Sequence, residues 1–394
     1  MDALEEFFGI QQFDFELSKQ SLIDNLNLLK SMSVEEQTFY KKWVEVQNYR
    51  CVASKLNVIK ARIWSPININ DESLTIQEIE NCNPELIYVE SKQQNEDWLL
   101  LRVCVSSFEF NQTPGRFLRF LIVDKNKPET PYIGVLAVSS DVIAITDRDN
   151  YIGWSSDNKL IDKKLMYSAI GSSIISTQPF GYNFLGGKLA AAMVVSSKVR
   201  DLWKQQYSQS LVGMTTTSLY GSYSIYNSLK WWHKCGVSEG KVVIRPDEFV
   251  YKMWCNWIKE HNTDLYEKTI TQKEGVSGPV TGVKSRIIAM ILRTCGIKQS
   301  SYLHGYKRGV YYSCFYENTK EFLQNKITED QLRIKDLFKG DMNSILDWWV
   351  PKAVYRYKKL KSENNLKPDI LFYNNMIGMD YQTAKNTYFN EVGR

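Results

Sequence analysis

The stretch Leu185–Thr217, LGGKLAAAMVVSSKVRDLWKQQYSQSLVGMTTT, carries the clearest structural pattern in this chain of 394 residues. Apolar side chains recur every three or four positions from Leu189 to Tyr207, which predicts one long helix. The β-branched run Leu211–Thr217 then predicts a strand. Because strands and helices alternate here and on both sides, the sequence predicts an α/β or α+β fold with a mixed central sheet flanked by helices.

The start of this helix is a candidate cofactor site. Gly186 and Gly187 let the main chain approach a ligand closely, and Lys188 adds a positive charge. A helix N-terminus also presents unpaired amide groups and the positive end of the helix dipole to an anion. The pattern predicts a phosphorylated ligand of the acyl-CoA or nucleotide kind. The alternative is a tight turn with a purely structural role.

The turn after the strand holds most of the candidate catalytic residues, because open sheets bind ligands at such strand ends. Ser218 and Tyr220 are predicted to position or protonate a leaving group, since a tyrosine hydroxyl can act as a general acid. Tyr226 and Asn227 are predicted to orient an acceptor amine. Asp149, in a charged loop, is a candidate base. The alternatives are capping and turn formation for the polar residues and plain solvation for Asp149.

The remaining chain is divided by its patterns into further elements. Upstream we predict helices within 17–63, a polar connector over 67–98 with a strand at Leu86–Glu90, and strands at Leu99–Phe110, Arg116–Asp124 and Tyr132–Ser139. Downstream we predict a helix over Gly221–Cys235, a strand at Lys241–Ile244, a helix from Pro246 to Ile258, a linker at Val276–Gly282, a basic helix at Ser285–Arg293, an extended segment at Gly305–Phe315, and helices from Phe322 onward with a break at Trp348–Pro351.

Charge is unevenly distributed. Residues 1–100 carry 9 Lys and Arg against 17 Asp and Glu, a net −8, whereas residues 281–394 carry 19 against 11, a net +8. A basic C-terminal region interleaved with tyrosines predicts contact with nucleic acid, because cations neutralise phosphates and rings stack on bases. The candidate nucleic-acid-binding residues are Arg286, Arg293, Lys307, Arg308, Arg356 and Lys358. The alternative is solvated lysines beside buried tyrosines.

Composition excludes several classes of protein. With 43% hydrophobic residues the chain is globular rather than disordered, and it contains no apolar run of about eighteen residues, so we predict no membrane span. Its first ten residues lack a secretory pattern, which predicts a protein located inside a cell, in the cytoplasm. The seven cysteines and three histidines have no metal-ligand spacing, so no metal is predicted.

The region around the long helix resembles the GNAT N-acyltransferase core. In that fold a phosphate-binding helix start is followed by a strand and a helix ending in an aromatic residue, three residues and a Gly-Phe pair. Here Trp232 stands at the aromatic position, and Gly236-Val237 stands in place of the Gly-Phe pair. The resemblance implies acyl-CoA-type chemistry on an amine.

A second resemblance covers residues 115–245. Gly115-Arg116, Gly134-Val135-Leu136, Ser139-Ser140, Ile152-Gly153-Trp154 and the segment Lys234–Lys241 are similar to segments of the DruA-like family of the Druantia anti-phage system. Phage Mom-type DNA-modifying proteins share the broad fold. The resemblance implies a GNAT-like core, a phage or anti-phage context, and a location in the cytoplasm of a bacterial or phage-infected cell.

These observations lead to three segments and to competing hypotheses. The segments are an acidic helical region with its connector (1–98), a GNAT-like α/β core (99–262) and a basic, aromatic-rich, mainly helical region (263–394). The leading hypothesis is an acyltransferase-like enzyme that modifies a base amine of DNA. The alternative is a non-catalytic nucleic-acid-binding component whose core is a scaffold. In either case the acidic region is a candidate surface for a protein partner.

Overall fold

The computed structural model describes residues 13–110, 115–218, 224–271, 283–340, 342–367 and 373–392. Seven strands form one mixed sheet in the order β1-β2-β3-β4-β5-β7-β6. The strands are β1 Pro84–Tyr88, β2 Phe117–Asp124, β3 Tyr132–Ser140, β4 Ser168–Ser176, β5 Gly213–Ser218, β6 His233–Val243 and β7 Leu303–Cys314. The predicted fold class, a mixed sheet flanked by helices, is confirmed.

Helices connect the strands and flank the sheet. Those before β4 are α1 Phe15–Ser31, α2 Val34–Gln47, α3 Ala53–Ala61, α4 Glu72–Glu80, α5 Lys92–Val105, α6 Thr146–Ile152 and α7 Ser156–Leu160. Those after it are α8 Phe180–Asn183, α9 Gly186–Met193, α10 Ser197–Tyr207, α11 Glu248–His261, α12 Thr263–Ile270, α13 Val283–Thr294, α14 Thr319–Leu323, α15 Met342–Ser362 and α16 Tyr381–Val392.

Strands β1 to β4 pair antiparallel, β4 and β5 pair parallel, and β5 pairs antiparallel with β7. Alternate residues of β2 and β3 enter two separate apolar clusters. Phe120 and Leu136 pack on one side of the sheet, whereas Leu121 and Val135 pack on the other. Both faces are therefore covered, which explains why these two strands read as nearly continuous apolar runs.

Several predicted elements are confirmed and others are wrong. The strands predicted at 116–124 and 132–139, the extended segment at 305–315 and the helices at 246–258 and 285–293 are present. The strand predicted over Leu99–Phe110 is wrong, because most of that segment lies in α5. This helix begins with a capping box in which Ser91 and Gln94 satisfy each other's backbone amides, and this local signal outweighs the β-forming side chains.

Three further predictions are corrected. The long helix from Lys188 to Tyr207 is two helices, since the chain turns at Val194–Ser196. The helix over Gly221–Cys235 is wrong in its described part, where turns lead into β6. The break at Trp348–Pro351 is absent, because α15 continues through Pro351. The linker predicted at Val276–Gly282 lies outside the described residues.

The chain forms two compact units, each built from two separate segments. One comprises Met1–Gln37 and Glu239–Tyr306, and the other comprises Thr38–Ser238 and Lys307–Arg394. The first unit contains a ring cluster in which Phe13 stacks on Trp257, 5.3 Å between centroids, and meets the edge of Trp254. The three consecutive segments inferred from composition do not anticipate this discontinuous arrangement.

Candidate functional site

The sheet opens between its two parallel strands. β4 and β5 are paired from Ser168 and Gly213 as far as Ile170 and Thr215. Beyond that point β4 continues to pair with β3, and β5 continues to pair with β7. The C-terminal halves of the two strands therefore lie against different neighbours and leave an opening between them. Open α/β sheets commonly bind ligands beyond the carboxyl ends of their strands.

Tyr226 occupies this opening. The hydroxyl of Thr216 donates to the Gly171 carbonyl at 3.1 Å and lies 3.3 Å from the Tyr226 hydroxyl. The Tyr226 ring is buried and packs on Tyr311 and Trp232. Burial raises the pKa of Tyr226 to about 12. The phenol is therefore protonated at neutral pH and can donate a proton but cannot act as a base.

Asn227 and Lys188 border the same opening. The Asn227 side-chain oxygen accepts a hydrogen bond from the Tyr311 hydroxyl at 2.7 Å, and its backbone carbonyl accepts one from Lys188 Nζ at 3.0 Å. Burial, and then the positive charge of Lys352, lower the pKa of Lys188. The structure thus brings together three of the predicted site residues, Lys188, Tyr226 and Asn227, on one face of the sheet.

The glycine pair is packed rather than open. A side chain at Gly186 would collide with Ser176 and Phe180, which already fill that space. A methyl group at Gly187 would lie 3.1 Å from the Ile225 side chain. The packing therefore does not support Gly186 as an open surface for an anion. The roles proposed for Gly187 and Lys188 stay predictions.

Ser218, Tyr220 and Asp149 do not join this group in the described structure. Ser218 is buried at the end of β5, and Tyr220 lies outside the described residues. Asp149 lies at the other face of the sheet. This follows from the alternation of side chains along β5, because Thr216 faces Tyr226 whereas Thr215 bonds to the cluster that contains Asp149.

That cluster is a buried set of charges that the sequence analysis missed. The fully buried Asp141 carboxylate accepts hydrogen bonds from Arg148 at 2.7 Å, Ser168 at 2.6 Å and Thr215 at 2.7 Å. Asp149 in turn accepts from Arg148 at 2.7 Å and from Lys159 at 2.6 Å. Burial raises the pKa of Asp141, and Arg148 opposes this rise. Because these charged groups are hydrogen-bonded to one another, the cluster holds its segments of the chain together. No local spacing in the sequence indicates that these residues meet.

Asp149 is a member of this cluster, and its role as a base stays a prediction. Its carboxylate is held by two cations and is mostly shielded from solvent.

In the part of the chain that the structure describes, no group of three or more His, Cys, Asp or Glu side chains is arranged to hold a metal ion. No described helix is long and apolar enough to cross a membrane.

Cations and aromatic rings alternate on a surface formed by α15 and its neighbours. Arg356 and Lys367 lie over the ring of Tyr182, at 5.1 and 4.9 Å from its centroid. Lys230 covers Trp231, and Trp231 meets Trp348 edge to face at 5.0 Å. We call this surface the basic–aromatic face, and it comprises Tyr182, Lys230, Trp348, Lys352, Tyr355, Arg356 and Lys367, with the buried Trp231 beneath it.

The cations of this face have no acidic partner among the described residues. Lys230, Lys352, Arg356 and Lys367 have no described carboxylate within 4.0 Å, whereas Lys359 pairs with Glu363. Trp348, Lys352, Tyr355 and Arg356 follow at intervals of 4, 3 and 1, so they share one side of α15. Lys352 and Arg356 are thus two cations on one flank of α15 without a carboxylate partner in the part of the chain that the structure describes.

Of the six predicted nucleic-acid-binding residues, one lies in this face. Arg356 belongs to it, whereas Lys358 lies two residues further along α15, about 200° around the helix from Arg356. Lys307 and Arg308 lie in β7. Arg286 and Arg293 lie in α13, which belongs to the first compact unit. The aromatic partners Tyr182, Trp231 and Trp348 were not predicted, because the chain positions that meet here are more than a hundred residues apart.

Comparisons with known proteins agree with the segment similarities. A family model described as "Druantia protein DruA" matches residues 44–325. The Druantia protein DruA of Escherichia coli (strain UMEA 4076-1) is 24% identical over 297 residues, which cover 70% of this chain and 70% of that protein. No solved structure matches. The family match spans all seven strands and ends before α15.

Proposed function

The chain belongs to the DruA family of the Druantia anti-phage system, and from this premise we propose that it binds nucleic acid, DNA in first place, through the basic–aromatic face. The observation that carries the proposal is the set of four cations without described acidic partners, each placed over an aromatic ring. A location in the cytoplasm, where phage DNA is met, is part of the same proposal.

Physical chemistry supports this use of the face. Cations that already have a carboxylate partner gain little from a phosphate, whereas unpaired cations release counterions from the polymer on binding. The rings hold the lysine and arginine side chains close to the surface, so less rotamer freedom is lost when a phosphate is bound. The face therefore combines charge with a pre-ordered geometry.

Salt-dependent binding tests the proposal. We expect affinity for a short DNA to fall steeply as salt rises from about 50 to about 200 mM. The double variant Lys352→Glu/Arg356→Glu should bind at least about tenfold more weakly, with a salt slope smaller by about 2. Lys204→Glu, at an exposed lysine on α10, is the control for a single charge reversal outside the face and should change affinity by less than about threefold. Equal affinities of the double variant and wild type would contradict the proposal.

The opening between β4 and β5 supports a second candidate, group transfer by a GNAT-like core. An acyl-CoA-like or nucleotide-like ligand would lie near Lys188, with Tyr226 and Asn227 beside the acceptor. In an acyl transfer the base amine attacks the thioester carbonyl. The C–N bond then forms as the C–S bond breaks, and coenzyme A leaves as a thiol with the amine proton. In this scheme the protonated phenol of Tyr226 would give its own proton to the departing thiolate, and the proton that the amine releases would restore the phenol.

The packing of Gly186 and the involvement of Tyr226 in the core favour the alternative, a scaffold without catalysis. Mass spectrometry of nucleosides from DNA exposed to the protein in cells separates the two. A modified nucleoside that disappears in Tyr226→Phe supports transfer. Unmodified DNA, together with wild-type DNA affinity of Tyr226→Phe and no thermal stabilisation by coenzyme A or ATP, supports the scaffold. We also propose that the acidic region 1–100, with its net charge of −8, binds a protein partner.

A further inference from the structure

Resting on the nucleic-acid binding proposed above, we infer that the basic–aromatic face takes single-stranded nucleic acid, with an unpaired base stacked on Tyr355. The side chain of Tyr355 is 70% exposed, which is unusual for a large ring on a helix packed against the core. Lys352 precedes it by three residues, about one turn of α15, and Arg356 follows it directly, so the exposed ring lies beside two cations of the face.

The other rings of the face are already covered. Tyr182 carries Arg356 and Lys367 on its ring, and Trp231 carries Lys230. Trp348 packs against Trp231 and lies under Lys352, 5.9 Å from the ring centroid. No described ring or cation contacts Tyr355. Tyr355 thus offers a flat apolar surface beside charges whose own positions are held by neighbouring rings.

The chemistry of stacking then selects the form of the nucleic acid. In a duplex the faces of the bases are occupied by neighbouring bases, and a ring on the convex surface of a helix can reach them only by unstacking the duplex. A single strand exposes those faces, and every base has one, so stacking is independent of sequence. Phosphates on either side of the stacked base meet Lys352 and Arg356. The ligand class is single-stranded DNA or RNA without strong sequence preference.

Binding of dT12 and of a 12-base-pair duplex to the full chain at one salt concentration tests the inference. We expect Tyr355→Ala to weaken dT12 binding about tenfold, the scale of one stacked base, and to change duplex binding by less than about twofold. Tyr355→Phe keeps the ring and should bind dT12 like wild type. Lys352→Ala should weaken both ligands and lower both salt slopes by about 1. Because Tyr355 is exposed, its variants should retain the wild-type circular dichroism spectrum and melting temperature.

The outcomes separate this inference from the function on which it rests. If Tyr355→Ala binds dT12 as tightly as wild type, or weakens dT12 and duplex equally, the stacking inference is overturned, although the effect of Lys352→Ala still supports nucleic-acid binding. If Lys352→Ala leaves both affinities unchanged, or neither ligand binds the wild-type chain, the proposed function fails and the inference fails with it.

Discussion

Gly186 and Gly187 are neighbours in sequence but lie in different packing environments. Gly186 is enclosed by Ser176 and Phe180, whereas the nearest described atoms to a methyl group at Gly187 belong to the Ile225 side chain, the closest of them 3.1 Å away. The need for glycine at position 186 therefore comes from the core and not from a ligand. At position 187 the surrounding space is larger, and a small shift of Ile225 is enough to admit a methyl group.

We expect Gly186→Ala to lower the free energy of unfolding by about 1–3 kcal/mol, because the added methyl group overpacks the core. Gly187→Ala is the matched control and should be within about 1 kcal/mol of wild type, since its contact is looser and alanine favours the helix. Urea denaturation monitored by circular dichroism measures both. A wild-type stability for Gly186→Ala would contradict the packing described for this turn.

The burial of Tyr226 has a consequence for its titration. Its pKa is raised from 10 to about 12 by burial, so ionisation is disfavoured in the folded protein. The stabilisation from this group is therefore complete below pH 10 and is lost as pH rises toward 12. The difference in tyrosinate absorbance between wild type and Tyr226→Phe should appear only above about pH 11. A difference centred at about pH 10 would mean that the phenol is open to solvent.

At the scale of elements, α15 contains a proline in its interior. Pro351 has no amide to donate to the Asp347 carbonyl, yet the helix runs unbroken from Met342 to Ser362. The helix survives because Trp349, Ala353 and Tyr357 are buried along one side and supply packing that outweighs the missing bond. Packing of this side also determines that the flank with Lys352 and Arg356 faces outward.

Replacing this proline tests whether packing compensates for the missing bond. Pro351→Ala restores a backbone donor and a good helix former, so we expect the free energy of unfolding to rise by about 1–3 kcal/mol. Lys358→Ala, an exposed change in the same helix, should alter it by no more than about 0.5 kcal/mol. Chemical denaturation of the full chain gives both values. Destabilisation by Pro351→Ala would show that the ring contributes more through packing than the missing hydrogen bond costs.

At the scale of the whole molecule, the Asp141 cluster joins parts of the chain that are far apart in sequence. Asp141 follows β3, Arg148 belongs to α6, Ser168 begins β4 and Thr215 lies in β5. These contacts hold the paired ends of β4 and β5 together at one face of the sheet. The opening that Tyr226 occupies lies farther along the same strands.

Removing the central carboxylate should therefore destabilise the fold strongly. We expect Asp141→Ala to lower the free energy of unfolding by about 3–5 kcal/mol, because Arg148 is left as a buried charge with one acidic partner fewer. Asp157→Ala, which removes an exposed carboxylate from α7, should change it by about 0.5 kcal/mol or less. Thermal and urea unfolding measure the difference. A mild effect of Asp141→Ala would mean that water enters the cluster.

The amino-acid sequence by itself determined the local features of this protein. Alternating and continuous apolar runs located β2, β3 and β7, proline and acidic residues located the start of α11, and small segments identified the DruA family. These signals are local because each depends on neighbours within one turn, one strand or one short motif. In α5 the capping box predicts a helix and the β-forming side chains predict a strand, and the strand prediction was wrong.

Only the tertiary structure decided which of these elements meet. β4 and β5 separate after three paired residues, and side chains of adjacent threonines face opposite sides of the sheet, so Lys188, Tyr226 and Asn227 come together whereas Asp149 does not. Tyr182 and Arg356 meet on one surface although 174 residues separate them in sequence. Strand pairing and helix packing depend on contacts between distant segments, and no periodicity within a single segment carries that information.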